Sequence, residues 1–162
     1  NRTRNLKEGE INLVSLKATI VQLLAPQIKV KKINFEVKLG EENQLLPFSK
    51  LYVLQVLGNL LSNSLKFTSP GGKITLTMDL NRLGFEFILS LLVEDNGLGM
   101  SEEKIEEILQ EGTSTHKGTQ GEVGFGLGLN LVKQLVAEQK GTMEINSELG
   151  LGTQFRIEMR VN

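Results

Sequence analysis

Cysteine is absent from the 162 residues. The chain can form no disulfide framework and no thiolate metal site, a composition that fits a reducing compartment. A bias in charge is also missing. Lys and Arg number 18 against 19 Asp and Glu, for a formal net charge of -1. A nucleic-acid binder would show a basic excess or stripe, so no nucleic-acid partner is expected. No apolar run approaches the ~20 residues of a membrane helix. The polar segment Asn1–Glu10 lacks the apolar core of a secretory leader. Membrane contact is not expected from this segment. Histidine is nearly missing too, with His116 alone.

What is there is enough for one domain. Hydrophobic residues make up 40% of the chain and charged residues 23%, which supports a full core and argues against disorder. Of seventeen glycines, many gather in three places: Gly97 and Gly99, Gly112 through Gly128, and Gly150 with Gly152. Single clusters read as turns. Three in the C-terminal half suggest backbone wrapped round a ligand.

Residues 1–10 read as a linker or the end of an upstream helix, and 11–162 as one domain. Asn12 caps a helix expected from Val14 to Leu24, stopping before Pro26. Residues 33–38 alternate as a half-buried strand does. Ser49 caps a long helix over 50–66, which Ser69-Pro70-Gly71-Gly72 ends. Strands at 73–80 and 85–94 flank a turn with Asn81 and Gly84. Ser101 caps a short acidic helix to Leu109. Residues 110–124 read as a functional lid. A helix over 126–139 and strands near 141–147 and 153–161 follow. The expected fold class is α+β, a two-layer α/β sandwich of about three long helices on a mixed, mostly antiparallel sheet.

The helix at 50–66 carries the most information. With Gln55 at zero and about 100° per residue, Asn59, Lys66 and Asn63 fall within about 80°, and leucine and valine fill the rest. A solvated face usually mixes Glu, Lys and Arg. This stripe holds amides and one lysine. Asparagine is a mediocre helix former, so Asn59 and Asn63 four apart need a reason. Carboxamide oxygens are hard neutral donors suited to Mg²⁺, which fills its other positions with water and phosphate. Lys66 adds a point charge for phosphates.

The apolar stretch Phe87–Val93 runs into Glu94-Asp95-Asn96-Gly97-Leu98-Gly99-Met100. Asp95 at the strand end can accept a hydrogen bond from an amine on a flat ligand. The plain alternative is an Asp-Asn-Gly turn. Gly124-Phe125-Gly126-Leu127-Gly128-Leu129 opens a helix whose first amides suit phosphate. It is neither the dinucleotide fingerprint nor a P-loop.

In this order the pieces resemble sensor histidine kinases. Gln55-x-x-x-Asn59-Leu60-Leu61-Ser62-Asn63-Ser64-Leu65-Lys66-Phe67-Thr68 is similar to their asparagine box. Asp95 to Met100, Gly124 to Leu129 and Gly150 to Thr153 resemble their three glycine boxes. The resemblance implies a Bergerat ATP-binding fold, with ATP and Mg²⁺ as cofactors. Asn63 would ligate Mg²⁺ with Asn59 assisting, and Lys66 would contact phosphates. Asp95 would accept from the adenine amine, with Thr153 supporting it. Gly97 and Gly99 would let the purine lie close. Residues 101–123 would be the lid. Gly124, Gly126, Leu127 and Gly128 would face the triphosphate.

Hydrolytic members of the superfamily place a glutamate where this chain has Asn59, and an asparagine cannot activate water as that base does. The resemblance therefore implies a histidine protein kinase holding ATP for an external nucleophile. That nucleophile would be a histidine on a separate dimerisation domain, with a response regulator downstream. The parent would be a homodimer, cytoplasmic or membrane-anchored. His116 lies in the lid, without a following acidic residue, and is not that histidine. Two departures stand out. Ile108-Leu109-Gln110-Glu111 carries none of the phenylalanines that many relatives have there, and Ser49 replaces an acidic residue. A degenerate nucleotide-binding module, an anti-sigma-type serine kinase and a purely structural interaction domain are the rival readings.

Overall fold

The computed structural model describes residues 6–110 and 128–162. In chain order the elements are β1 (Glu10–Ile11), α1 (Leu13–Lys31), β2 (Asn34–Leu39), β3 (Phe48–Ser49), α2 (Val53–Phe67), β4 (Lys73–Leu83), β5 (Glu86–Asp95), α3 (Glu102–Gln110), α4 (Leu129–Glu138), β6 (Thr142–Glu148) and β7 (Gly152–Arg160). One sheet has the order β2-β4-β5-β7-β6. β2 pairs with β4 in parallel and the other three pairings are antiparallel. The sheet is mixed and mostly antiparallel, as expected. The α+β class holds, with four helices among the described residues.

Alternation sets the layers. Ile74, Leu76, Met78 and Leu80 of β4, Leu89, Leu91 and Val93 of β5, and Phe155, Ile157 and Met159 of β7 are all buried. They lie on one face of the sheet, because successive strand side chains point to opposite sides. The helices cover that face: α1 packs on β2 and β4, α2 on β5, and α4 on β6 and β7. α2 also packs against α1 and α4, and α3 against α4. The buried side chains form one cluster, into which Ile108 of α3 is also packed.

Several boundaries differ from expectation, β4 for one running on to Leu83 through Asn81. Asn12 does cap α1, in a reciprocal capping box with Ser15. The helix does not stop at Pro26 but runs through it to Lys31. A proline removes the bond to the carbonyl four residues back. Here Gln22 and Pro26 are both exposed, so water can serve the freed carbonyl. Tertiary contacts hold the continuation: Ile28 packs on the core, and the buried Lys31 Nζ donates to the carbonyls of Leu65 at 2.5 Å and Lys66 at 3.4 Å. By length and composition α1 could cross a membrane, but Leu13, Leu16, Ile20 and Leu24 are buried in the core.

Ser49 is not the cap of α2. It lies in β3, which pairs with β1, and its amide donates to the Val161 carbonyl at 2.7 Å. Tyr52, in the left-handed region with φ 63°, is the residue before the helix, without a side-chain cap. The Lys50 amide donates to the Gly9 carbonyl at 3.0 Å, so the segment read as linker is tied to the domain at its end. α4 begins at Leu129, with Gly128 before it, three residues later than expected.

Candidate functional site

α2 carries the carboxamide stripe into the protein. Val56, Leu57, Leu60 and Leu61 are fully buried, and Asn59 is only 6% exposed. The Asn59 side-chain amide nitrogen donates to the Gln55 carbonyl at 2.7 Å. Only the nitrogen can donate, which fixes the orientation of the amide and leaves Oδ1 as an acceptor that no donor among the described residues fills. Asn63, one turn on, is half-buried. Lys66 follows on the same stripe. It is buried, not solvated, with its ammonium 5.3 Å from the centroid of the Phe67 ring, a cation–π distance.

Asp95 ends β5 on the helix-covered face. Its partners across the sheet are Ile74 on β4 and Thr153 on β7, and Thr153 in turn pairs with Ser147 on β6. A carboxylate that follows the buried Leu89, Leu91 and Val93 on this face of β5 loses solvation. Burial accordingly raises its pKa above the ordinary 3.8, against the opposing effect of hydrogen bonds from the Gly97 and Thr153 amides and of the nearby Ser64 hydroxyl. The amides of Gly97 and Thr153 both donate to Oδ1, at 2.9 and 3.3 Å. Oδ2 takes no backbone N–H among the described residues. The Ser64 hydroxyl is buried with no hydrogen bond of good geometry, yet it sits close enough to Asp95 to favour the charged form. Ser64 follows Asn63 directly, so the carboxamide turn of α2 and the Asp95 carboxyl are neighbours.

Backbone contacts hold these parts together. The Leu98 amide donates to the Phe67 carbonyl at 3.0 Å, and the Gly150 amide to the Leu98 carbonyl at 2.8 Å. The Asp95 turn is thus fastened to the end of α2 and to the β6–β7 turn. Gly97 and Gly99 were expected to make room for a purine. In the structure their missing side chains make room for the protein itself: a Cβ on Gly97 would strike the Phe67 carbonyl, and one on Gly99, at φ +70°, the Glu148 carbonyl. A cavity of about 350 Å³ is lined by Asp95, Ser147, Leu151, Gly152 and Thr153 among others.

Asn59, Asn63, Lys66, Asp95, Gly97, Gly99 and Thr153 are therefore gathered at one end of the sheet and along the helix above it. Gly128 is buried at the start of α4. Gly124, Gly126 and Leu127 lie outside the described residues, as do His116 and most of the expected lid. Three contributors escaped the sequence reading. Ser64 stood inside a quoted motif but had no role there. Ser147, an ordinary polar strand residue, meets Thr153 only through strand pairing. Lys31 reaches the end of α2 from 34 residues away.

Comparison with known proteins places this geometry. The family model of histidine kinase-, DNA gyrase B- and HSP90-like ATPases matches residues 49–162. The autoinducer 2 sensor kinase/phosphatase LuxQ of Vibrio vulnificus is 31% identical over 97% of this chain and 19% of its own length. The adaptive-response sensory kinase SasA of Synechococcus is 30% identical over 96% of this chain and 40% of its own. The chain thus spans well under half of these relatives. The solved catalytic domain of histidine kinase ThkA superposes with a TM-score of 0.73 at 26% identity, covering 93% of both chains.

Proposed function

The chain belongs to the family of histidine kinase-, DNA gyrase B- and HSP90-like ATPases, and we propose that it holds Mg-ATP for transfer of the γ-phosphoryl group to a histidine on a separate dimerisation domain. The observation that supports this reading is the adjacency of two unlike binding ends. Asp95 offers a half-buried carboxylate whose Oδ2 takes no backbone N–H among the described residues, suited to an exocyclic amine. Asn59 and Asn63 offer amide oxygens one turn apart on α2, suited to a hard cation. Among the described residues no cluster of His, Cys, Asp and Glu could hold a metal by itself. Mg²⁺ would therefore be held by the amides together with phosphate oxygens, and would supply charge neutralisation.

Phosphoryl transfer asks a protein mainly for position and electrostatics. Asp95 fixes the base, and the rigid α2 fixes the distance from the base to the phosphates. Asn59 cannot abstract a proton from water, because a carboxamide is not a base at neutral pH. The site is suited to keep ATP intact until a nucleophile arrives. A homodimeric sensor kinase on the cytoplasmic side, with a response regulator receiving the phosphoryl group in turn, is the setting that this chemistry fits.

Mixing the domain with a histidine-bearing dimerisation domain and γ-labelled ATP tests the reading. Acid-labile, base-stable label on the partner supports it. Acid-stable label points instead to a serine acceptor, and absence of label with intact ATP binding to a module that only holds nucleotide.

A further inference from the structure

We infer that Ser147, which has no place in the motif reading, is a positioning residue that makes the Thr153 hydroxyl an obligate acceptor and so sets the preference for a 6-amino purine. The inference rests on the nucleotide reading above. Ser147 Oγ meets three partners: the Met100 amide at 2.7 Å, the Gly152 carbonyl at 3.1 Å and Thr153 Oγ1 at 2.7 Å. A hydroxyl has one proton to give and two lone pairs. Met100 N–H occupies one lone pair. The Gly152 carbonyl can only accept, so Ser147 gives its proton there. The last contact is then filled only if Thr153 donates its own proton to Ser147. If Ser147 donated to Thr153 instead, the Gly152 contact would hold no proton. Only one arrangement satisfies all three contacts.

The consequence lies on the neighbouring strand. With its proton spent on Ser147, Thr153 Oγ1 has only lone pairs left. Thr153 pairs directly with Asp95, its amide bonds the Asp95 carboxylate at 3.3 Å, and both residues line the same cavity with Ser147. The strand end therefore presents acceptors side by side: a carboxylate oxygen and a hydroxyl oxygen with no proton to offer. An amino group, which brings two N–H donors, suits that pair. A 6-oxo group brings lone pairs against lone pairs and is disfavoured, since polar groups left unpaired where the ligand displaces water are costly. Thr153 is 8% exposed, so water does little to relieve the mismatch.

The test is the ratio of affinities for ATP and inosine triphosphate, in which a 6-oxo group replaces the 6-amino group and the adjacent ring nitrogen N1 carries a proton. The Ser147 variants read the 6-position, since only a Thr153 hydroxyl freed to donate gains a partner in the 6-oxo group. Calorimetric titration of the parent domain, Ser147→Ala, Thr153→Val and the double variant gives it, with thermal melts to confirm folding. In Ser147→Ala the Thr153 hydroxyl is free to turn and donate. ATP affinity is expected to fall about fivefold while inosine triphosphate affinity holds or rises, so the ratio shrinks about five- to tenfold, the worth of roughly one hydrogen bond. Ser147→Thr, which keeps the hydroxyl, should restore the ratio. In the Thr153→Val background, Ser147→Ala should leave the ratio unchanged. A residue that merely braces the β6–β7 turn would weaken both nucleotides alike; an unchanged ratio in folded Ser147→Ala overturns the inference. If that variant does not fold, a Ser147→Thr protein with a collapsed ratio overturns it equally. A parent domain that binds neither nucleotide refutes the nucleotide reading itself, and this inference with it.

Discussion

Replacing Asp95 by Asn keeps the shape of the strand end and inverts its polarity. Asn Oδ1 takes over the bonds from the Gly97 and Thr153 amides, which in the parent both go to Asp95 Oδ1 at 2.9 and 3.3 Å. The NH₂ group then stands where Oδ2 stood and faces the adenine amine, donor to donor. The lost contact is a hydrogen bond to a charged group, worth about 1.5–3 kcal/mol. That corresponds to a 10- to 150-fold rise in Kd for ATP, since about 1.4 kcal/mol is a factor of ten. Stability should move the other way. Burial raises the pKa of Asp95, so the folded state binds this proton more tightly than the unfolded chain does. Its contribution to stability is therefore present at acid pH and is lost as pH rises from the ordinary carboxylate range through the raised pKa. At neutral pH the charged group is a cost, and Asp95→Asn should raise Tm there, with the gain vanishing at acid pH. Calorimetry for ATP and melts across pH read both halves. An unchanged ATP affinity would refute the role of Asp95, and a neutral-pH Tm that fell would refute the view of it as a desolvated carboxylate.

Other outcomes follow from the same structure. ATP affinity of the parent should weaken on acidification at a higher pH than an ordinary carboxylate would give, because protonated Asp95 loses its charge; a flat profile down to pH 4 in binding assays would contradict this. Asn63→Ala should leave binding of metal-free adenosine within about twofold but cut the gain in ATP affinity on adding Mg²⁺ by about tenfold or more, seen by titration with and without chelator. Lys31→Met removes the buried donor to the Leu65 carbonyl and should cost about 2 kcal/mol, a Tm drop of roughly 4–8 °C. Gly99→Ala meets both a positive φ and the Glu148 backbone, whereas Gly84→Ala, at φ +64°, meets open space. The first should cost at least ~2 kcal/mol more than the second in chemical denaturation.

Local signals located most of the elements, and they failed where distant contacts decide. Asn12 announced α1 because its partner Ser15 lies three residues away. The end of α1 was misread because Pro26 is a local stop sign, and what overrides it is Lys31 bonding to the end of α2. Ser49 looked like a cap because its pairing with Glu10, 39 positions earlier, leaves no trace in its neighbourhood. The short strands β1 and β3 were missed for the same reason. The placement of the candidate site was legible where chemistry and spacing coincide, as in Asn59, Asn63 and Lys66 on one helix, or Asp95 at a strand end. Ser147 was not, since a serine on an alternating strand carries no mark of the residue it faces. The spacing of the glycines suggests clearance for a ligand, whereas what the structure shows at Gly97 and Gly99 is a demand set by contacts between chain segments.

The most direct measurement is a titration of ¹⁵N-labelled domain with Mg-ATP, followed by NMR. The Gly97 and Thr153 amides and the side-chain amides of Asn59 and Asn63 should shift together along one saturation curve. Shifts confined to one of the two groups, or separate curves for each, would show that they do not hold the same nucleotide.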